Sequence, residues 1–144
     1  MRIAVIADTH DRLPDGVCES IRAADEIWHL GDVCSPAILA RLGRLAPHRV
    51  VRGNCDSEPG WPLMLDFELE GLHIHIEHIP AKTPPRCDLF LHGHTHVPRD
   101  EVIRGVRFLN PGCITRPNRG APASYAWLTL ERGGTAWELV PVHG

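Results

Sequence analysis

The chain has 144 residues, enough for one domain (1–144) with a buried core of its own and no need for disulfide or metal staples. Its 43% hydrophobic and 23% charged residues are ordinary for a globular protein, and a formal net charge of -3 excludes a general attraction to nucleic acid or anionic membrane, so any phosphate recognition must be local. The apolar start, Met1 to Ala7, meets Asp8 too soon for a signal peptide or membrane span, and the five scattered cysteines (Cys18, Cys34, Cys55, Cys87, Cys113) fit reduced thiols, so a cytoplasmic protein is expected.

Residues 2–7 form an apolar run without alternation, the pattern of a strand buried on both faces and hence of an α/β sheet covered by helices. A helix is predicted over 14–24, then a strand from Glu26 to Leu30 that runs into Gly31-Asp32. Ser35-Pro36 reads as the N-cap and first residue of a second helix through about Arg44, and Arg49 to Arg52 as a strand ending at Gly53-Asn54. Leu65 to Glu70, Gly71 and Leu72 to Glu77 read as a hairpin in which Leu72, Ile74 and Ile76 alternate with His73, His75 and Glu77. Parity puts His78 on the Leu72/Ile74/Ile76 face, pointing toward the core, and turns His73 and His75 the other way. Pro80, Pro84 and Pro85 break the stretch to Arg86 too often for a helix. Cys87 to Leu91 is the next predicted strand, feeding Gly93-His94-Thr95-His96. Further strands, with turns at Arg104-Gly105 and Arg132-Gly133-Gly134, make the tail mostly β.

Polar residues therefore stand at the ends of successive strands: Asp8-Thr9-His10, Gly31-Asp32, Gly53-Asn54-Cys55-Asp56, His78 and Gly93-His94-Thr95-His96. In open α/β sheets, sites gather at the carboxyl ends of strands, so Asp8, Asp32 and Asn54 should converge in space. Two carboxylates, one amide and four imidazoles can serve two adjacent divalent transition metal ions. The donor set suits manganese first, with Ni, Zn, Fe or Co as substitutes, and is too rich in imidazole for a plain Ca or Mg site. No CxxC is present, which argues against an iron–sulfur cluster.

These motifs, in this order and spanning Asp8 to Asn110-Pro111-Gly112-Cys113, resemble those of the calcineurin-like metallophosphoesterases, specifically the small prokaryotic phosphodiesterases whose third motif reads Gly-Asn-Cys-Asp. The resemblance implies a four-layer α/β/β/α sandwich and a binuclear site. By the same resemblance Asp8, His10, Asp32 and His96 would hold one ion and Asp32, Asn54, His78 and His94 the other, with Asp32 bridging. Thr95 would let its neighbouring histidines reach different ions, and Asp32, Asn54 and His94 count as catalytic besides being ligands. Two such ions, about 3.5–4 Å apart, activate a shared water and stabilise an in-line displacement at phosphorus. The substrate implied is a phosphate ester, preferably a diester. The alternatives are a nucleotide or protein phosphomonoesterase, or a non-catalytic scaffold of the same fold.

Four departures from the family pattern bear on chemistry. Cys55 stands where many members carry a His that protonates the leaving oxygen, and a neutral thiol is a poor general acid. Ile79-Pro80 follows the ligand His in place of the usual Gly-His, and the link from His78 to Gly93 is short, which should open the cleft. Cys113 replaces a usual Ser, so a hydroxyl role is lost there.

Each residue also has a structural reading. Asp8 and Asp32 could be helix N-caps, and His78 a packed strand-end histidine. His92 reads as a support for the site or as structural, and His29, His48, His73, His75 and His143 as surface or half-buried residues. Cys18, Cys34 and Cys87 read as small core side chains, and Trp28, Trp61, Trp127 and Trp137 as core or sheet-face packing. Arg116 and Arg119 could bind phosphate oxygens, and Asp56 could orient a ligand from behind.

Overall fold

The computed structural model describes residues 1–132 and 134–142. In chain order it contains β1 (Arg2–Ile6), α1 (Asp15–Ile21), β2 (Glu26–His29), α2 (Pro36–Gly43), β3 (His48–Val50), β4 (Met64–Leu69), β5 (Leu72–Glu77), β6 (Leu89–Leu91), β7 (Arg99–Ile103), β8 (Val106–Asn110), β9 (Ser124–Glu131) and β10 (Gly134–Pro141). These strands form two five-stranded sheets, ordered β10-β9-β1-β2-β3 and β4-β5-β6-β8-β7.

β1 is buried on both faces, as its unbroken apolar run predicts. Ile3 and Val5 face the second sheet, where they join Trp28, Leu30, Ile74, Ile76 and Leu91 in one core layer. Ala4 and Ile6 face the other way, onto Val17 and Ile21 of α1 and Ile38 and Leu42 of α2. The Ser35 Oγ accepts the Ala37 N–H at 3.3 Å with Pro36 at the first helical position, so α2 starts at the predicted cap.

The second sheet differs on its outer side. A smaller cluster of Cys87, Phe90, Val106 and Phe108 lies there under the segment 79–88, which holds no helix. The α/β sandwich is thus built with both helices against the first sheet and a proline-rich loop over the second, as the three prolines require. The β4/β5 hairpin turns at Glu70 and Gly71, both at positive φ (53° and 78°), the two-residue turn that matches strand twist. Gly133 lies outside the described residues, as does His143, while Gly134 pairs with Glu131 across the β9/β10 hairpin. Among the described residues no helix is long and apolar enough to cross a membrane.

Topology determines where the polar motifs go. β1, β2 and β3 run parallel, and so do β5, β6 and β8. Their carboxyl ends therefore lie along a common edge of each sheet, and the loops leaving them face one another across the seam.

Candidate metal centre

The loops after β1 and β2 continue the parallel pairing beyond the strands. Asp8 N–H donates to Gly31 O at 3.0 Å, His10 N–H to Asp32 O at 3.1 Å and Asp11 N–H to Val33 O at 3.2 Å. This ladder aligns the two carboxylates and His10. Asp8, His10, Asp32, His94 and His96 all sit at positive φ, between 44° and 72°, a conformation rare for residues with a Cβ and common at functional sites. Gly53 is required for space: a Cβ there would collide with the Asp32 carboxylate and backbone.

Five side chains converge. Asp8, His10, Asp32 and His96 each offer a donor atom within 4.8 Å of the others. His96 Nε2 is 3.5 Å from Asp8 Oδ1, and His78 Nε2 is 3.3 Å from Asp32 Oδ2 and 3.8 Å from Asp8 Oδ1. His10 Nε2 lies 3.8 Å from Asp32 Oδ2 and 4.0 Å from Asp8 Oδ1. Most of these gaps are too long for direct hydrogen bonds. They suit atoms that share an ion at about 2.0–2.2 Å each. Accordingly both carboxylate oxygens of Asp8, His10 Nε2 and His78 Nε2 are buried and have no hydrogen-bond partner. Buried polar atoms are otherwise almost always paired, so four orphans facing one point fit a metal.

The far side of two rings is secured to the backbone. His78 Nδ1–H donates to Leu30 O and His96 Nδ1–H to Arg116 O, both at 2.7 Å, which leaves each Nε2 lone pair directed inward, the arrangement of metal-binding histidines. His78 is 2% exposed at the end of the β5 core row, so parity located it correctly. His94 and Asn54 stand at the exposed rim. The His94 Nδ1–H donates to Asn54 Oδ1 at 3.1 Å, and its ring centroid is 5.3 Å from that of His78. Five of the seven predicted side chains are thus closely grouped, and Asn54 and His94 pair with each other beside them, His94 against His78.

Burial raises the Asp8 carboxyl to about 6, against the downward pull of His78 and His96. Burial acts on Asp32 in the same direction, but His78 and the Cys55 N–H, which donates to its Oδ1 at 2.9 Å, hold it below the usual carboxylate range. Burial lowers His10, keeping its imidazole neutral as a ligand must be. The Cys55 thiol is exposed, and burial together with Asp32 shifts it upward, so it stays protonated.

Asp56 supports the site from behind. Its Oδ2 accepts the Asp32 N–H at 2.9 Å and the Gly53 N–H at 2.7 Å, and its Oδ1 accepts the Cys34 N–H at 2.7 Å. Cys34 is half-buried rather than core, with Sγ 4.0 Å from His10 Nδ1. Cys113 Sγ donates to Asp8 O at 3.3 Å and accepts the Arg116 N–H at 3.0 Å, and the Thr115 hydroxyl donates to the same Asp8 O at 3.1 Å. Arg116 and Arg119 are exposed.

Two histidines depart from the expected surface or half-buried placement. His29 is 1% exposed. The Gly31 N–H donates to its Nδ1 at 3.1 Å, so Nε2 carries the proton and donates to Thr9 Oγ1 at 3.0 Å, tying the β1 and β2 loops together. Burial lowers it to about 3, and it remains neutral. Its signal was its strand: β2 is central and covered on both faces, so alternation cannot expose it. His75 is also buried, against Phe90, with Nδ1 2.9 Å from Asp66 Oδ2. His92 is structural as one reading had it: Arg99 donates to Nε2 at 3.1 Å, and Nδ1–H donates to Gly93 O at 2.9 Å.

Residues 1–133 match the calcineurin-like phosphoesterase superfamily domain. The chain is 34% identical to a probable metallophosphoesterase of Methanothermobacter thermautotrophicus, over 85% of this chain and 83% of the relative. It is 32% identical to phosphodiesterase YfcE of Escherichia coli K12, over 89% and 87%, and superposes on a solved structure of YfcE, described as a phosphoesterase from E. coli, with a TM-score of 0.81 over 99% and 100% at 26% identity. The zinc complex of Vps29 from Entamoeba histolytica, at 21% identity and a TM-score of 0.79 over 98% and 99%, shares the fold.

Proposed function

Since the chain belongs to the calcineurin-like phosphoesterase superfamily and is a metal-dependent phosphoesterase, we propose that it hydrolyses phosphodiesters with two divalent transition metal ions held by Asp8, His10, Asp32, Asn54, His78, His94 and His96. The observation that carries this reading is the set of four buried donor atoms without partners, on Asp8, His10 and His78, facing Asp32 and His96. When bound, the ions would lower the pKa of a water for attack at phosphorus and neutralise phosphate oxygens. Manganese fits this donor set, with Ni, Zn, Fe or Co as substitutes.

Asp32 would be the ligand shared by both ions, because His10 and His78 both approach its Oδ2 while its other oxygen is anchored by the Cys55 N–H. Asn54 contributes a neutral oxygen. Two carboxylates against two dications leave the site positive for an anionic substrate. Leu30 O and Arg116 O hold His78 and His96 in orientation, and Asp56 fixes the loop that carries Asp32.

Substrate class follows from what stands beside Asn54. Cys55 presents a neutral thiol there, so no strong acid protonates the leaving oxygen. Diesters carry one charge less than monoesters and suit the exposed cleft better. A screen of the Mn-, Ni- and Zn-loaded protein against aryl monoesters, aryl diesters, cyclic nucleotides and nucleic acid tests the reading: diesters should be turned over fastest. Preference for monoesters would refute the diesterase assignment, and no hydrolysis with any metal would refute catalysis itself.

A further inference from the structure

We propose that the cleft beside Asn54 and His78 is a subsite for an apolar ester group, and that the substrate is a phosphodiester with one aromatic or similarly flat apolar arm. The inference rests on the diesterase reading and names the chemistry of one of the two esterified groups.

The candidate site has an unequal pair of flanks. On one side a cavity of about 540 Å³ has a mixed border, with His92, His94, Arg99 and Arg119 beside Val97 and Pro98. On the other a smaller cavity of about 200 Å³ is bordered by Asn54 and His78 at its inner end and by Leu63, Met64 and Ile79 outside. These three apolar residues are 57%, 51% and 48% exposed. Among the described residues only seven large hydrophobics are exposed, and three of them meet in this one cavity. Isolated exposed apolar residues need no explanation, but a cluster continuous with a catalytic cleft does.

The hairpin explains how they meet. Met64 pairs with Glu77 at the open end of the β4/β5 ladder, so Leu63 and Ile79 continue beyond the same end as His78. Ile79 stands where the resemblance leads one to expect glycine, and Pro80 begins the loop that replaces a helix over this sheet. Ile79, one of the three apolar residues of the wall, is thus one of this chain's departures from the family pattern. Arg52 and Glu77 also line this cavity, one cation against one carboxylate.

The size decides among occupants. A space of about 200 Å³ admits a single ring or a short branched alkyl group and is too small for a protein helix or strand. Because Asn54 and His78 form its inner end, a group filling it would lie next to the phosphorus-binding position. An arm of a diester meets this condition directly.

The test sets two diester monoanions, dimethyl phosphate and methyl phenyl phosphate, in competition with a chromogenic diester for the metal-loaded protein, so that each inhibition constant compares their affinities whether or not the competitor is itself turned over. The phenyl compound should bind about tenfold tighter, the effect of covering one face of a ring. Leu63→Ser and Ile79→Ser should each bring the ratio toward one, whereas Val102→Ser, an exposed residue on β7, should leave it unchanged. Equal affinities in the wild type overturn the proposal even where a variant fails to fold, and so does a ratio that both Ser variants retain. Binding of neither diester would instead remove the diesterase reading on which the proposal rests. Light scattering covers the remaining occupant: a wild-type dimer that Leu63→Ser dissociates, with equal affinities for the two inhibitors, would assign the patch to a second copy of the chain.

Discussion

Replacing Asp8 by Asn should make the metal-free protein more stable and the metal-loaded protein less so. Asp8 is fully buried, neither carboxylate oxygen has a hydrogen-bond partner, and burial raises its carboxyl from 3.8 to about 6. Between those values the folded chain holds a proton that the unfolded chain has released, so stability falls as pH rises through this window and the full cost is present above it. A shift of this size at about 1.4 kcal/mol per pH unit amounts to about 3 kcal/mol of destabilisation at neutral pH and above. Asn is nearly isosteric and neutral, so Asp8→Asn removes that cost. Urea denaturation at pH 8 in a chelator should give a higher midpoint for Asp8→Asn with an unchanged m-value, and the advantage should vanish near pH 4. With metal present the order should reverse, because the wild type gains binding free energy that the variant loses. A variant less stable than wild type in chelator at pH 8 would refute the argument that Asp8 is an uncompensated charge awaiting a cation.

Asp32→Ala should be the most damaging single ligand change, since it removes a donor from both ions and leaves two dications facing each other; metal content and hydrolysis measured together check this, and near-wild-type values would refute the bridge. Cys55→His places an imidazole acid beside Asn54 and should raise monoesterase turnover relative to diesterase by up to about 10²-fold, read from kcat on aryl mono- and diesters, while Cys55→Ala should change diester turnover little. Metal affinity should strengthen as pH rises from 6 to 8, because burial lowers His78 but Asp32 and Asp8 outweigh it and raise the ring above 6.5, so its proton must leave before it can ligate. Titration with metal at several pH values checks the direction; affinity that is flat across this range would refute it.

The sequence made the donor atoms legible because each stands at a strand end, and strand ends are marked by a change from apolar to polar that needs no knowledge of contacts. Parity alone placed His78 in the core, since a two-residue period is the strictest rule the backbone offers. Pro80, Pro84 and Pro85 likewise foretold the missing helix. What escaped was the environment of residues on covered strands: His29 reads as surface or half-buried by chemistry and is buried because both faces of its strand are covered. His75 alternates outward as read, yet the loop and Phe90 cover it. Asp56 was legible as a support behind a ligand, but not its three partners Asp32, Gly53 and Cys34, which depend on loop closure at distances that no periodicity encodes. The apolar rim of Leu63, Met64 and Ile79 was equally invisible, because it joins residues from two sides of a hairpin.

The central claim is that seven side chains hold two ions through one shared carboxylate, and the most direct test is the metal content of the reconstituted protein. Elemental analysis after removal of free metal should approach two equivalents per chain in the wild type and fall toward one in Asn54→Ala, which lacks a donor to a single ion. One equivalent in the wild type, unchanged in Asn54→Ala, would contradict the account.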